Sequence, residues 1–79
     1  MHEVTAAAAA FAHERPRLLG LAYRMLGSMT EAEDTVQEAY LRWHRAASTE
    51  VRSPGAWLTT VVTRLCIDQL RSSRHSREQ

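Results

Sequence analysis

The sequence predicts an all-α fold, a small bundle of three to four helices. Three observations carry this. Apolar residues recur three and four apart through most of the chain, the spacing that gathers them on one side of a helix. The segment after Thr5 is rich in alanine, the strongest helix former. Helix stop and start signals punctuate the pattern at Pro16, at Gly27-Ser28 and at Ser53-Pro54.

In the first helix, expected over about residues 5–14, Val4, Ala7, Ala8 and Phe11 share one side. Pro16 removes a backbone donor and biases Arg15 away from the α region, which predicts a sharp kink or short break. Arg17–Leu26 should be the central helix, apolar on two sides, with Leu18, Leu21, Ala22 and Met25 on one and Leu19, Tyr23 and Leu26 on the other. Gly20 within it costs about 1 kcal/mol relative to alanine, which predicts a neighbouring backbone packed close at that position. Gly27-Ser28 stops the helix, and Thr30 followed by Glu33 reads as a capping box opening the next.

That next helix, Thr30–Arg45, has two faces with opposite demands. Ala32, Val36, Ala39, Tyr40 and Trp43 fall within about 60° of one line at 100° per residue, a stripe to be buried in the core. Opposite them run Asp34, Glu38, Leu41 and Arg45, with Gln37 on the flank, so an apolar leucine stands among carboxylates. Such a face is either solvated, with one stray leucine, or built for a partner. Residues 46–52 lack periodicity and read as a loop. Ser53 and Pro54 then serve as N-cap and first residue of a last helix reaching about Ser73, with Leu58, Val61, Val62, Leu65 and Gln69 inward and a frayed polar end over residues 74–79. Along its other side follow Trp57, Thr60, Arg64 and Arg71, with Thr63 and Arg74 alongside. An aromatic ring, hydroxyls and guanidiniums on one face suit a phosphate backbone and unpaired bases, while an Asp68–Arg71 surface pair on a solvated face is the plainer alternative. Trp57 is as suited to plug the core as to touch DNA.

Seventy-nine residues make one small domain, able to bury roughly 60–65% of its unfolded surface. The single cysteine, Cys66, excludes an intrachain disulfide and has no histidine at a zinc-ligand spacing, so no metal site or cofactor is implied and a reduced, cytoplasmic setting is expected. No stretch approaches the roughly 20 apolar residues of a membrane span. The histidines His2, His13, His44 and His75 are dispersed, and the three glycines form no phosphate-cradling loop, so no enzyme is expected. Charge is polarised: residues 30–46 sum to −2 and residues 51–79 to +3, as if for two dissimilar partners, the second a polyanion.

Two motifs carry a resemblance. The run Ala32-Glu33-Asp34-Thr35-Val36-Gln37-Glu38-Ala39-Tyr40-Leu41-Arg42-Trp43 resembles region 2.2 of the bacterial extracytoplasmic-function sigma factors, and SPGAWLTTVVTRLCIDQLR resembles regions 2.3 and 2.4, with Trp57-Leu58 and Asp68–Arg71 at the matching positions. The resemblance covers roughly residues 11–74 and implies a region 2 helical bundle. It further implies that Asp34, Gln37 and Glu38, with Leu41 beside them, dock on the clamp helices of the RNA polymerase β′ subunit. The last helix and the loop before it would recognise the promoter −10 element as it melts. Ser48, Thr49 and Arg52 belong to the loop that captures a flipped non-template base, Thr60, Thr63 and Arg64 to the helix contacts, and Arg71 and Arg74 to the backbone contacts. An anti-sigma regulator is a further partner the resemblance implies. HERPRLLGLAYRMLGS is similar to the SigJ-like subgroup, whose members carry a −35-binding region and a SnoaL-like domain beyond region 2, so the expectation is an isolated region 2 domain. Two rival classes remain: a helix-turn-helix fragment reading duplex DNA, and a helical docking module without nucleic acid.

Overall fold

The computed structural model describes residues 5–46 and 51–78, with side chains through residue 73. Three helices account for nearly all of them: α1 (Ala6–Leu26), α2 (Met29–Ala46) and α3 (Pro54–Glu78). Each runs antiparallel to the one before it, as the pairs Ala7 with Trp43 and Phe11 with Tyr40, and then Thr35 with Gln69 and Trp43 with Trp57, require.

Helix α1 opens on Thr5, whose extended backbone and Oγ1, accepting from the Ala8 amide at 3.0 Å, satisfy one of the free donors of the first turn. Of the kink or short break expected at Pro16, the break does not occur; the proline sits inside one continuous helix. An interior proline costs about 3 kcal/mol through its lost hydrogen bond and the crowded carbonyl one turn earlier. Here both Pro16 and Ala12 are exposed, so water can reach the Ala12 carbonyl, while Phe11 and Leu18, seven residues apart, bury both halves in the same core. Burial of two such side chains, at about 1.5–3 kcal/mol each, offsets the penalty.

The turn into α2 is minimal. Gly27 adopts the left-handed conformation (φ 75°) that glycine alone takes freely, and its amide donates to the Tyr23 carbonyl at 2.8 Å. Ser28 follows at once and caps α2, its Oγ accepting from the Glu31 amide at 3.3 Å. The start is therefore Ser28 with Glu31 three residues on, rather than Thr30 with Glu33: the same serine/threonine-to-glutamate spacing occurs twice, and the glycine that ends α1 selects the earlier. At α3, Ser53 caps through the Ala56 amide (3.3 Å) and Pro54 takes the first position, as expected. The helix continues to Glu78, past the expected end near Ser73, because no glycine or proline follows Gly55 to stop it.

The core joins Phe11, Leu18 and Ala22 of α1, Ala32, Val36, Ala39 and Trp43 of α2, and Leu58, Val62 and Cys66 of α3. The inward stripe expected of α2 is buried but for Tyr40, which is half-buried with its ring edge-to-face on Phe11, centroids 4.9 Å apart. Thr35 and Cys66 are buried beyond the expected sets. The close approach expected at Gly20 lies elsewhere. A Cβ at Gly20 would meet only the Arg24 side chain, at 3.7 Å, whereas one at Gly55 would stand 3.2–3.3 Å from the Glu14 carboxylate. At Gly55 the helices α1 and α3 meet, and Arg17, paired with Glu14 at 2.7 Å, donates to the Gly55 carbonyl at 3.2 Å.

Two outcomes follow from this packing. Gly20→Ala, relieved of the glycine entropy cost and meeting no obstacle, should raise the thermal midpoint by about 4–8 °C in a calorimetric scan, and an unchanged or lower midpoint contradicts the open space beside it. Burial holds the Cys66 thiol above its ordinary pKa. A group whose folded pKa is raised contributes stability at low pH and loses it as pH climbs through the thiol range, so unfolding free energy should decline on the alkaline side, and less so in Cys66→Ala.

Candidate nucleic-acid and protein interface

The outer side of α2 presents the expected row. Asp34, Gln37, Leu41 and Arg45 are exposed and Glu38 is half-exposed. Leu41 keeps 40% of its surface in solvent, although α2 is otherwise sharply two-sided. Glu38 accepts from Arg42 Nε at 3.2 Å, an exposed pair one turn apart that contributes only a few tenths of a kcal/mol and so yields readily to a competing donor. Asp34 and Glu38 place acceptors two turns and one turn before the exposed Leu41 on the same face, a surface for a basic partner with an apolar spot.

A second surface lies at the start of α3. Val51, Arg52, Ser53, Ala56, Trp57, Thr60, Val61 and Arg64 line an open groove of about 640 Å³. The Ser53–Pro54 start of α3 fixes the angle at which residues 51 and 52 enter, and the spacings from Arg52 to Ala56 and from Trp57 through Thr60 to Arg64 place one side of the first three turns along the groove. Trp57 is half-buried: it packs against Trp43 with ring centroids 5.3 Å apart, as a core plug would, and its remaining surface lines the groove. The floor is apolar through Val51, Ala56 and Val61, and Arg52 and Arg64 stand exposed at its edges. An aromatic wall between guanidiniums matches an unpaired base with its phosphates.

The expected nucleic-acid residues divide accordingly. Arg52, Thr60 and Arg64 share the groove; Thr63 is half-buried and does not line it; Arg71 is exposed on α3 two turns beyond Arg64. Ser48 and Thr49 lie outside the described residues, as does the side chain of Arg74. Among the described residues the ion pairs are Glu14–Arg17 and Glu38–Arg42, and the Asp68–Arg71 pair is not formed, which leaves Arg71 open to solvent. Val51 falls in the expected capture loop, whereas Ser53, Ala56 and Val61 were missed as groove residues: a cap serine and small apolar residues read from sequence as ordinary helix start and packing. A helix-turn-helix needs a short second helix after a tight turn, whereas α2 and α3 span 18 and 25 residues with residues 47–53 between them. Among the described residues no group of acids, histidines and cysteine is arranged to hold a metal, and no helix is long and apolar enough to cross a membrane.

Comparison with known proteins identifies the family. The family model for sigma-70 region 2 matches residues 10–76. The extracytoplasmic-function (ECF) RNA polymerase sigma factor SigJ of Mycobacterium tuberculosis is 53% identical over 64 residues, covering 81% of this chain and 20% of that protein. The probable ECF RNA polymerase sigma factor SigI of the same species is 41% identical over 71 residues, covering 90% of this chain and 24% of the relative. SigW, an ECF RNA polymerase sigma factor of Bacillus subtilis, is 37% identical over 62 residues, 76% of this chain and 33% of that protein. The chain thus spans a fifth to a third of the length of these relatives. No solved structure matches. With residues 10–76 of 79 inside the family match, the chain belongs to the sigma-70 region 2 family.

Proposed function

We propose that this domain acts in transcription initiation as the part of a sigma factor that joins core RNA polymerase to the promoter −10 element. The observation that carries the reading is the placement of the acidic row on α2 and the Trp57 groove on α3 as separate surfaces of one packed bundle. On this reading Asp34, Gln37 and Glu38 bond to the β′ clamp helices while Leu41 is buried between them. Arg52, Trp57, Thr60 and Arg64 receive an unpaired base of the non-template strand, and Arg71 and Arg74 meet the backbone further along α3. Each stacked or flipped base contributes about 1–3 kcal/mol. The chemistry of RNA synthesis is the polymerase's, and the domain is not itself an enzyme. Its setting is the cytoplasm, where polymerase and promoter are found.

Alone, the domain should bind DNA weakly and with only a shallow salt dependence, because few guanidiniums meet phosphate at once. Calorimetric titration with a β′ clamp-helix fragment should show binding that Glu38→Arg abolishes while the circular dichroism of the variant stays helical; binding retained by a folded Glu38→Arg removes α2 from the docking role. Arg64→Ala combined with Arg71→Ala should leave clamp-fragment affinity within about twofold and lower the yield of open complexes formed by the full-length sigma factor by on the order of tenfold or more. An unchanged yield contradicts the assignment of α3.

A further inference from the structure

Among the described residues one hydrogen bond crosses the seam between α2 and α3. Thr35 is 2% exposed and is the buried polar residue of the core. Its hydroxyl carries one proton and uses it to donate to the Glu31 carbonyl at 2.9 Å, which leaves the oxygen lone pairs free, and one of them accepts from Gln69 Nε2. The intrahelical bond fixes the rotor of the hydroxyl, so the acceptor direction offered to Gln69 is fixed as well. Apolar packing among core residues such as Val36, Leu58 and Val62 favours burial but changes little when one helix slides or rolls by a fraction of a residue, whereas a hydrogen bond weakens steeply with distance and angle. The contact therefore supplies what the rest of the seam lacks, a defined register.

Its position gives that register a use. Asp34 precedes Thr35 by one residue and Glu38 follows it by three, on the outward side of the same helix; Arg71 follows Gln69 by two and Arg64 precedes it by five. We infer that Thr35 and Gln69 are positioning residues that lock α3 in register against α2, so that the surface bound to polymerase and the surface bound to DNA are held at a fixed offset. The inference rests on the function proposed above for those two surfaces, but the lock itself is a property of the bundle. Neither residue touches a ligand: Thr35 is inside, and Gln69 is half-buried against it. Their effect is felt only when both surfaces are engaged together, since a free domain can offer either surface whatever the offset between them.

The test uses Thr35→Val, which keeps the shape and removes the hydroxyl, Gln69→Leu, which removes the donor, and Thr35→Ser, which restores the hydroxyl. Amide residual dipolar couplings on the 79-residue domain report the angle and relative order of α2 and α3 without any ligand. In the wild type and Thr35→Ser both helices should fit one alignment frame; in Thr35→Val and Gln69→Leu the α3 couplings should depart from the α2 frame with helical content unchanged. If Thr35→Val fails to fold, Gln69→Leu carries the same comparison from the more exposed side. Couplings of either folded variant that fit the wild-type frame, together with unchanged nuclear Overhauser contacts between α2 and α3, which report the slide that couplings do not sense, overturn the inference, whatever the change in melting temperature. In a second arm, a duplex with an unpaired, randomised-sequence bubble is titrated into the domain pre-bound to core polymerase. Thr35→Val should lose on the order of tenfold in DNA affinity there, and Thr35→Ser should regain it, while clamp-fragment affinity without DNA stays within about twofold. Equal loss in both measurements marks a merely structural residue and overturns the inference. Failure of the wild type to bind core polymerase at all contradicts the proposed function instead, and the dipolar couplings then decide the register alone.

Discussion

The three helices meet at Trp43. Its indole N–H donates to the Ala7 carbonyl at 2.7 Å, reaching from α2 to the first turn of α1, and its ring packs on Trp57 at the opening of α3. A buried indole needs a partner for its one donor, and the carbonyl it takes lies in the alanine-rich turn where no side chain blocks the approach. That single side chain fixes the end of the bundle where the groove opens. The wall of the groove is Trp57, and Trp57 is held from behind by Trp43. Smaller residues on α1 make the arrangement possible, since Ala7 and Ala10 pack at the edge of the core without crowding the ring.

From that joint the two outward surfaces follow as a matter of helix geometry. Once α2 turns its Ala32–Trp43 stripe inward, Asp34, Glu38 and Leu41 have nowhere to point but solvent; once α3 buries Leu58 and Val62, Thr60, Arg64 and Arg71 are carried outward. The charges differ in sign between the two helices, so a partner drawn to one is repelled by the other, and two ligands of opposite charge approach without competing. The pairing within α2, Glu38 with Arg42, is weak enough to be exchanged on docking.

Most of this was legible in the sequence where periodicity spoke. The α2 stripe, the outward Asp34–Glu38–Leu41 row, the Gly27 stop and the Ser53–Pro54 start all stand as read, because each depends on local spacing or on a residue with one dominant conformational preference. What was misread depended on the third dimension. Pro16 argues for a break when only its own neighbours are considered, yet α1 runs on through it with a buried anchor on either side. Gly20 and Gly55 are alike in sequence, and only the docking of α1 on α3 makes Gly55 the crowded one. Thr35 lies at the edge of the stripe, and its partner Gln69 is 34 residues away, so no local pattern announces the bond. The groove floor escaped for the same reason: Ala56 and Val61 form a surface with Val51 only once Trp57 leans on Trp43.

The central claim is that one rigid bundle presents two independent surfaces, α2 to polymerase and the start of α3 to unpaired DNA. The most direct measurement follows backbone amide shifts of the labelled domain through two successive titrations, first with a β′ clamp-helix fragment and then with an unpaired oligonucleotide. The account predicts that the first ligand moves amides around Asp34, Gln37, Glu38 and Leu41, that the second moves those of Arg52, Trp57, Thr60 and Arg64, and that saturation with the first leaves the second set responsive. Shifts from both ligands on one helix face, or displacement of one ligand by the other, would contradict it.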